Sequence, residues 1–221
     1  DAKMIIFNSD NSEAEMCGNG IRCLIEYLVN NDSYIKDNFK IETKAGLKIA
    51  QYKNGDISVK MGLPILNPNL IPTLIKKQIK DIPYSSFKIN NFSNLGYAIS
   101  MGNPHLIFFV EDLKTFPHNE IGPILEKNNL FPEKTNVHFC EIINSSNIDV
   151  KVWERGVGET LACGTGACAI HVVAYKLGLC NYKTTINLPG GSLSIEWKEN
   201  EDEVIMTGKA TKVYKGFFSH K

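Results

Sequence analysis

Two cysteines occupy the same position in two similar motifs, and this duplication is the strongest chemical signal in the sequence. The first motif, EAEMCGNGIRC, contains Cys17, and the second, ETLACGTGACA, contains Cys163. In each motif a glutamate (Glu13 or Glu159) lies four residues before the cysteine, and a Gly-x-Gly turn directly follows the cysteine. Glycines let the backbone turn tightly, and the first N–H groups of a helix attract negative charge. Each motif therefore predicts an anion site beside an activated thiol.

Two such thiols predict acid–base chemistry at a carbon atom. One thiolate removes a proton and the other thiol returns one to the opposite face, which inverts a stereocentre. Two helix N-termini can stabilise the carbanion that forms beside a carboxylate. A buried cysteine under a glycine turn and a phosphate-binding loop are the competing interpretations. The duplication disfavours the first, and the absence of a GxGxxG pattern or a P-loop lysine disfavours the second.

Composition is that of a globular protein, with 221 residues, 43% hydrophobic and 22% charged. Because 24 basic residues balance 24 acidic ones, the charge indicates neither a nucleic-acid partner nor a membrane surface. No apolar run approaches the roughly 20 residues of a membrane helix. The cysteine spacings are not those of zinc sites, and we expect free thiols in a reducing cytoplasm. Four cysteines are predicted to be small buried packing residues: Cys23, Cys140, Cys168 and Cys180.

Hydrophobic periodicity predicts one helix after each motif. The first carries an apolar stripe formed by Ile21, Leu24, Ile25 and Leu28. The second, over 167–177, is apolar on nearly all sides, so we expect it to be buried. A strand is predicted before each motif, at 3–8 and at 149–154. Further strands are predicted near 39–43, 47–52, 57–61, 95–101, 105–110, 136–143, 183–188, 192–197 and 203–208.

The matched strand–loop–helix units predict an α/β (α+β) fold with two pseudo-symmetric domains. Each domain is expected to be a mixed, mostly antiparallel sheet curled around a central helix, with the active site in the interdomain cleft. A proline-punctuated connector at 64–72 predicts the boundary. The N-terminal domain then spans 1–63, the C-terminal domain spans 64–208, and 209–221 returns to the first domain.

Five stretches, in this order along essentially the whole chain, resemble the signature blocks of the diaminopimelate epimerase family: FNSDNSEAEMCGNGIRC, GNPHLIFFV, TNVHF, VWERGVGETLACGTGACA and TGKATKVYKGF. The resemblance implies epimerisation of LL-2,6-diaminoheptanedioate to the meso form in lysine and peptidoglycan precursor synthesis. It implies a two-base thiolate/thiol mechanism without pyridoxal, other cofactor or metal. It also implies a cytoplasmic homodimer with Tyr214 at the dimer interface, and a small diamino dicarboxylate as the partner.

The same resemblance implies roles for individual residues. Cys17 and Cys163 are the acid/base pair, and His105 and Glu154 are catalytic residues that support the thiols. The implied substrate-binding residues are Asn8, Gly18, Asn19, Asn103, Asn136, Glu154, Arg155, Gly164 and Thr165. An arginine fork suits a carboxylate. His138 is interpreted as structural, and Glu13 and Glu159 as substrate contacts or helix caps.

Two departures from the family and two rival functions accompany this interpretation. The family begins with a further segment carrying a Gly-x-Gly-Asn-Asp-Phe block, which does not precede Asp1, so we expect a fragment with an incomplete first domain. The loop has Asn11 where the family usually has glycine, which a left-handed backbone tolerates. The rivals are a cofactor-independent racemase or isomerase of another amino or hydroxy acid, and an inactive fragment that only binds substrate.

Overall fold

The computed structural model describes residues 1–7, 13, 16–31, 36–199 and 203–217. The chain divides into two compact units. The first comprises 1–59 with the segment from Thr207 onward, and the second comprises 60–206. The sequence-based boundaries lie at 63/64 and 208/209. Within the described residues, no helix is long and apolar enough to cross a membrane.

The first unit contains a four-stranded sheet in the order β1-β2-β3-β4. Strands β1 and β2 pair in parallel, and the other neighbours are antiparallel. Gly46 (φ 90°) and Asn54-Gly55 (φ 52° and 85°) form the predicted hairpin turns, because both turns need left-handed backbone. The strand bounds are Ala2–Lys3 (β1), Asn38–Thr43 (β2), Gly46–Lys53 (β3) and Asp56–Lys60 (β4).

Helix α1, Gly18–Asn31, starts at the first glycine of the motif. Ile21, Ile25 and Leu28 are buried, which confirms the predicted apolar stripe. The prediction that Cys23 is a packing residue is wrong, because its side chain is exposed. Cys23 follows Ile21 by two positions, about 200° around the helix, and therefore lies on the opposite face.

The predicted strand at 3–8 is also wrong over most of its length. Strand β1 ends at Lys3, and Met4 adds one hydrogen bond from its N–H to the Glu42 carbonyl oxygen. Ile5 and Phe7 are exposed, and Phe7 forms an isolated bridge with Glu13. A strand needs a partner for its backbone groups, and β2, the partner of β1 among the described residues, ends at Thr43, one residue beyond the Lys3–Glu42 pair.

The second unit contains a mixed sheet in the order β13-β12-β10-β9-β8-β7-β6-β5, with β11 paired to β10. Among the strand pairs described in this unit, only β8–β9 and β10–β12 are parallel, which confirms a mixed, mostly antiparallel sheet. The bounds are Gln78–Ile79 (β5), Ile82–Ile89 (β6), Phe92–Ser100 (β7), Pro104–Phe109 (β8), Asn136–Asn144 (β9), Asn147–Glu154 (β10), Gly158–Thr160 (β11), Lys183–Leu188 (β12) and Gly191–Glu196 (β13). Strand β14, Ile205–Gly208, lies at the boundary between the units.

Helix α3, Gly164–Leu177, contacts β7, β8, β9, β12 and β13. These strands flank β10 on both sides, so the sheet curves around the helix as predicted. The helix is buried continuously from Gly166 to Ala174, which confirms the interpretation of its apolar composition. It ends at Gly178, whose left-handed backbone (φ 82°) forms the C-cap.

Helix α2, His118–Glu126, contacts β9, β10 and β11 and was not predicted from the sequence. It follows Pro117 and contains Pro123, and two prolines so close together are typical of a loop rather than of a nine-residue helix. Ile121 and Leu125 pack into an aromatic core with Phe87, Phe108 and Phe139. Strands β5, β6 and β11 were likewise not predicted.

Candidate active site

Most predicted site residues of the second unit gather at one edge of its sheet. Strands β8 and β9 are parallel and both begin at this edge, and the antiparallel β10 ends there. His105 is in register with Asn136, and His138 follows two positions later on the same face of β9. Glu154 closes β10. This topology explains how His105 and Glu154, which are 49 positions apart in sequence, come to share one edge.

Cys163 is the N-cap of α3, which begins three residues earlier than the helix predicted over 167–177. Its backbone is extended (φ −131°, ψ 106°), and its carbonyl oxygen accepts the N–H of Ala167 at 2.9 Å. Its sulfur lies 3.6 Å from Thr165 Oγ1. Gly164 and Thr165 lie in the first helical turn, where backbone N–H groups have no intrahelical acceptor and the helix dipole favours an anion. The site therefore pairs a buried thiol with donors suited to a carboxylate.

The Glu154 carboxyl group is the acidic partner of this thiol. Its Oε1 accepts a hydrogen bond from Thr160 Oγ1 at 2.6 Å, and it also accepts one from Cys163. Burial raises the pKa of Glu154, and the two hydrogen bonds oppose that rise. Glu154 is therefore a half-buried carboxyl group that accepts the hydrogen bond of the Cys163 thiol.

His105 occupies the centre of a buried hydrogen-bonded series. Its Nε2 lies 3.0 Å from Asn103 Oδ1, and its Nδ1 lies 2.9 Å from His138 Nε2. An amide oxygen only accepts, so we assign the His105 proton to Nε2 and let its Nδ1 accept from His138 Nε2. Among the described residues, His138 Nδ1 then has no hydrogen-bond partner.

Burial keeps both histidines of this series neutral. It lowers the pKa of His105 well below its usual range, and repulsion from a protonated His138 or from the Arg155 guanidinium acts in the same direction. Burial also lowers the pKa of His138 to about 3. Both rings are fully buried, so an imidazolium in this place would lose its hydration without gaining a carboxylate.

Asn136 joins β9 to the turn after β10. Its Nδ2 donates to the Pro104 carbonyl oxygen at 2.9 Å, and its Oδ1 accepts the Arg155 N–H at 3.0 Å. The Arg155 guanidinium reaches outward, where Nη1 donates to the Glu133 carbonyl oxygen at 3.3 Å. The position of Arg155 thus depends on Asn136, a link that the sequence does not reveal.

The first motif repeats the local geometry of the second. The Cys17 carbonyl oxygen accepts the Ile21 N–H at 3.0 Å, and Cys17 Sγ accepts the Gly20 N–H at 3.3 Å. Gly18 and Asn19 form the first turn of α1. The buried Arg22 donates to Asn19 Oδ1 at 2.9 Å, which fixes that side chain. Sequence reasoning missed Arg22, although its spacing of three from Asn19 on a helix was visible.

Several predicted residues lie elsewhere or have other partners. Asn8 lies outside the described residues, and Tyr214 is exposed in the C-terminal segment. The interpretation of Glu159 as a helix cap is wrong: its carboxylate accepts from His118 Nε2 at 2.8 Å, and α3 has no side-chain cap. Glu159 lies on β11 opposite Trp153 of β10, and its side chain reaches His118, the first residue of α2. The interpretation of His138 as merely structural also overlooked its bond to His105.

The fold is shared with solved structures of low sequence identity. One is a phenazine biosynthesis protein of the PhzF family from Enterococcus faecalis, with a TM-score of 0.64, 17% identity, and coverage of 94% of this chain and 74% of that chain. Another is a hydroxyproline epimerase from Agrobacterium vitis, also with a TM-score of 0.64, 13% identity, and coverage of 94% and 68%. At these identities the likeness defines only the class of α/β fold that such proteins share.

Sequence comparison is more specific. The model of the family described as Diaminopimelate epimerase matches residues 1–66 and 97–213, and the chain belongs to this family. A diaminopimelate epimerase from Prochlorococcus marinus strain NATL1A is 50% identical over 97% of this chain. The aligned part is 76% of that relative's length, so the chain spans about three quarters of it.

Proposed function

We propose that this protein is an isomerase that interconverts LL- and meso-2,6-diaminoheptanedioate without a cofactor. The observation that carries the proposal is the repeated placement of a cysteine directly before a helix N-terminus, in a chain of the diaminopimelate epimerase family. Cys17 and Cys163 are the proposed acid/base pair. One sulfur removes the α-proton as a thiolate, and the other donates its proton to the opposite face of the carbon.

Proton handling at Cys163 depends on the groups around it. Glu154 accepts a hydrogen bond from the thiol, and burial raises the pKa of its carboxyl group. The neutral His105 supplies a second polar group beside this sulfur without adding a positive charge. Because the surroundings are buried, a charge that forms on sulfur is stabilised by fixed dipoles rather than by water.

Substrate binding is proposed to use the two helix N-termini and the polar side chains near them. Backbone N–H groups of Gly18 with Asn19, and of Gly164 with Thr165, bind the carboxylate at the reacting carbon. That carboxylate carries the charge developed in the enediolate, so these donors act most strongly in the transition state. Arg155 reads the distal carboxylate, and Asn8, Asn103, Asn136 and Glu154 complete the recognition of a diamino dicarboxylate.

Isotope exchange tests this proposal directly. We expect the protein, kept reduced, to incorporate deuterium at the α-carbon of LL-diaminopimelate in deuterated water and to produce the meso form. Cys17→Ala and Cys163→Ala should each abolish product, whereas Cys23→Ala should be unaffected because that thiol is exposed on the opposite face of α1.

Other results of the isotope-exchange experiment would distinguish the two alternative functions. Exchange with another amino or hydroxy acid in place of diaminopimelate would assign a related racemase or isomerase. Binding of diaminopimelate without exchange would assign a binding fragment and overturn the proposal.

The cellular setting follows from the same proposal. The reaction belongs to lysine and peptidoglycan precursor synthesis, which we place in the cytoplasm. None of the six cysteines, all within the described residues, forms a disulfide, as suits a reducing compartment. We further propose a homodimer with Tyr214 at the interface, because the C-terminal segment exposes Val213, Tyr214 and Phe217 almost completely.

A further inference from the structure

Three metal-ligating side chains converge beside α3, and the proposed reaction uses no metal. His105, His138 and Cys163 each place one ligand atom within 4.8 Å of the other two. All three residues are buried, and the two histidines are fully so. They come from β8, from β9 and from the N-cap of α3, so the set is held by three packed elements rather than by a loop.

The spacings of these atoms are close to those of a tetrahedral zinc site but not equal to them. Two nitrogens that each lie about 2.0–2.1 Å from one tetrahedral zinc are about 3.4 Å apart, and His105 Nδ1 and His138 Nε2 are 2.9 Å apart. With a Zn–S bond of about 2.3 Å, nitrogen and sulfur are about 3.6 Å apart in the same geometry. The three ligand atoms lie within 4.8 Å of one another, so the widest spacing has to shorten by up to about 1.2 Å on binding.

The surroundings of His105 resemble those of a histidine that already serves as a ligand. Metal-bound histidines usually donate their remote ring N–H to an oxygen acceptor, which fixes the ring and its tautomer. His105 does this through Nε2 and Asn103 Oδ1, at 3.0 Å. Its Nδ1 lone pair is thereby directed toward His138 and the interior.

Space for His138 beside the sulfur depends on a missing side chain. A Cβ atom on Gly166 would lie 2.3 Å from His138 Cε1, 2.9 Å from His138 Nε2 and 3.1 Å from Cys163 Sγ. The imidazole nitrogen and the sulfur therefore approach the same point next to α3. The other ring nitrogen, His138 Nδ1, is buried without a hydrogen-bond partner among the described residues.

We infer that His105 Nδ1, His138 Nε2 and Cys163 Sγ form a binding site for one divalent cation of the zinc class. Two imidazoles and one thiolate select borderline and soft cations such as Zn²⁺, Co²⁺ and Cu²⁺ over Mg²⁺ and Ca²⁺. Three protein ligands leave the fourth tetrahedral position for water or a substrate oxygen.

Metal coordination changes the bonding of Cys163, His138 and His105. The Cys163 S–H bond breaks, the sulfur–metal bond forms, and the thiol proton leaves to solvent. His138 moves its ring proton from Nε2 to Nδ1, which turns the Nε2 lone pair toward the ion. The His105–His138 hydrogen bond is replaced by two nitrogen–metal bonds, and the bond from His105 to Asn103 is retained.

A metal ion bound at this site would block the proposed reaction, because the metal-bound sulfur of Cys163 can neither remove the substrate's α-proton nor donate one. This consequence rests on the proposed function, whereas the binding itself does not. Loss of activity on adding Zn²⁺, restored by a chelator, would therefore be a second readout and not the primary one.

The primary test titrates the reduced wild-type chain with Co²⁺ under anaerobic conditions and follows its absorption spectrum. We expect one Co²⁺ per chain, with a thiolate-to-cobalt charge-transfer band and the visible bands of a tetrahedral ion, both displaced by Zn²⁺. Cys163→Ser should remove the charge-transfer band. His138→Gln should weaken binding by at least about 100-fold, the upper end of losses seen for groups that only support a ligand.

Matched controls identify the site. Cys17→Ser and Cys23→Ser should retain the band, as should His171→Gln, which alters another buried histidine. A band that persists in His138→Gln, or that disappears in Cys17→Ser, would overturn the assignment. X-ray absorption of the zinc-loaded wild type requires no substitution: one sulfur with two or three nitrogen or oxygen neighbours supports the site, and two sulfurs or none contradict it.

The two proposals fail in different ways. Stoichiometric Co²⁺ binding in a chain without epimerase activity leaves the metal site standing and removes the function. Epimerase activity without stoichiometric binding removes the site alone.

Discussion

At the scale of single residues, the second glycine of each motif has a different meaning in the two halves of the chain. From the sequence alone, both glycines are interpreted as residues that allow the tight backbone turn at a helix N-terminus. The structure adds that Gly166 leaves room for the His138 ring, whereas Gly20 faces the end of the Ile6 side chain. His138 lies in another sequence block, so no local pattern could reveal this packing.

Replacing these glycines with alanine should therefore give unequal results. Gly166→Ala places Cβ 2.3 Å from a fully buried imidazole held by a hydrogen bond. We expect it to lower the free energy of unfolding by about 1–3 kcal/mol through overpacking and to weaken epimerisation. Gly20→Ala meets Ile6 Cδ1 at 2.6 Å, Met4 Sδ at 3.3 Å and Cys17 Cβ at 3.5 Å, and the two closest of these atoms belong to flexible side chains that can move. Its stability should change by no more than about 1 kcal/mol, since alanine also favours the helix.

Chemical denaturation of both variants, alongside isotope exchange, measures this contrast. Equal losses of stability would show that the two motifs are packed alike and would contradict the role given to His138.

At the scale of elements, α2 supports the turn that carries Glu154 and Arg155. The buried Glu126 at its C-terminal end accepts hydrogen bonds from Trp153 Nε1 and from the Gly156 N–H, each at 3.0 Å. These bonds bracket the two proposed site residues in sequence. The sequence predicted β10 and its site residues, because strand periodicity and motif are local. It did not predict α2, whose nine residues are stabilised by tertiary packing and interrupted by Pro123.

Glu126→Ala should impair both stability and substrate recognition. It removes the acceptor of two part-buried hydrogen bonds, which costs about 1–3 kcal/mol of unfolding free energy. The freed turn should raise KM for diaminopimelate, because the proposed contact of Arg155 is with a part of the substrate remote from the reacting carbon, and it should lower kcat if Glu154 is displaced as well. Steady-state kinetics and denaturation test this, with Glu120→Ala as the control on the exposed face of α2. Values of KM and kcat that both match the wild type would contradict a positioning role for Glu126.

At the scale of the whole molecule, buried neutral histidines make stability depend on pH. Burial lowers the pKa of His171 to about 4. Between an unfolded-state pKa near 6.5 and about 4, the unfolded chain binds a proton that the native protein does not. The contribution of His171 to stability is therefore complete above about pH 6.5 and declines as the pH falls below it.

His171→Phe should flatten this decline. The substitution keeps an aromatic ring beside Tyr175, with which His171 stacks, and removes up to about 1.4 kcal/mol of pH dependence per pH unit. Urea denaturation of both proteins at pH 7.5, 6, 5 and 4.5 measures the difference, and every other titrating group cancels between them. Parallel curves would show that His171 is not neutral in the native protein.

Assembly is a second property of the whole molecule. Tyr214→Glu should shift the proposed homodimer toward monomer in sedimentation velocity, because it places a charge in an apolar interface. Tyr27→Glu, on the exposed face of α1, is the control. A wild-type protein that is monomeric at micromolar concentration would contradict the dimer.

The burial of α3 has a further consequence for hydrogen exchange. Its backbone is covered by β7, β8, β9, β12 and β13, and no side chain between Gly166 and Ala174 reaches solvent to any large extent. Amide protons in such a segment exchange only when the whole unit opens, so they should be among the slowest in the protein. The proposed catalytic thiol, on Cys163, would then lie three residues before the part of the chain that opens last.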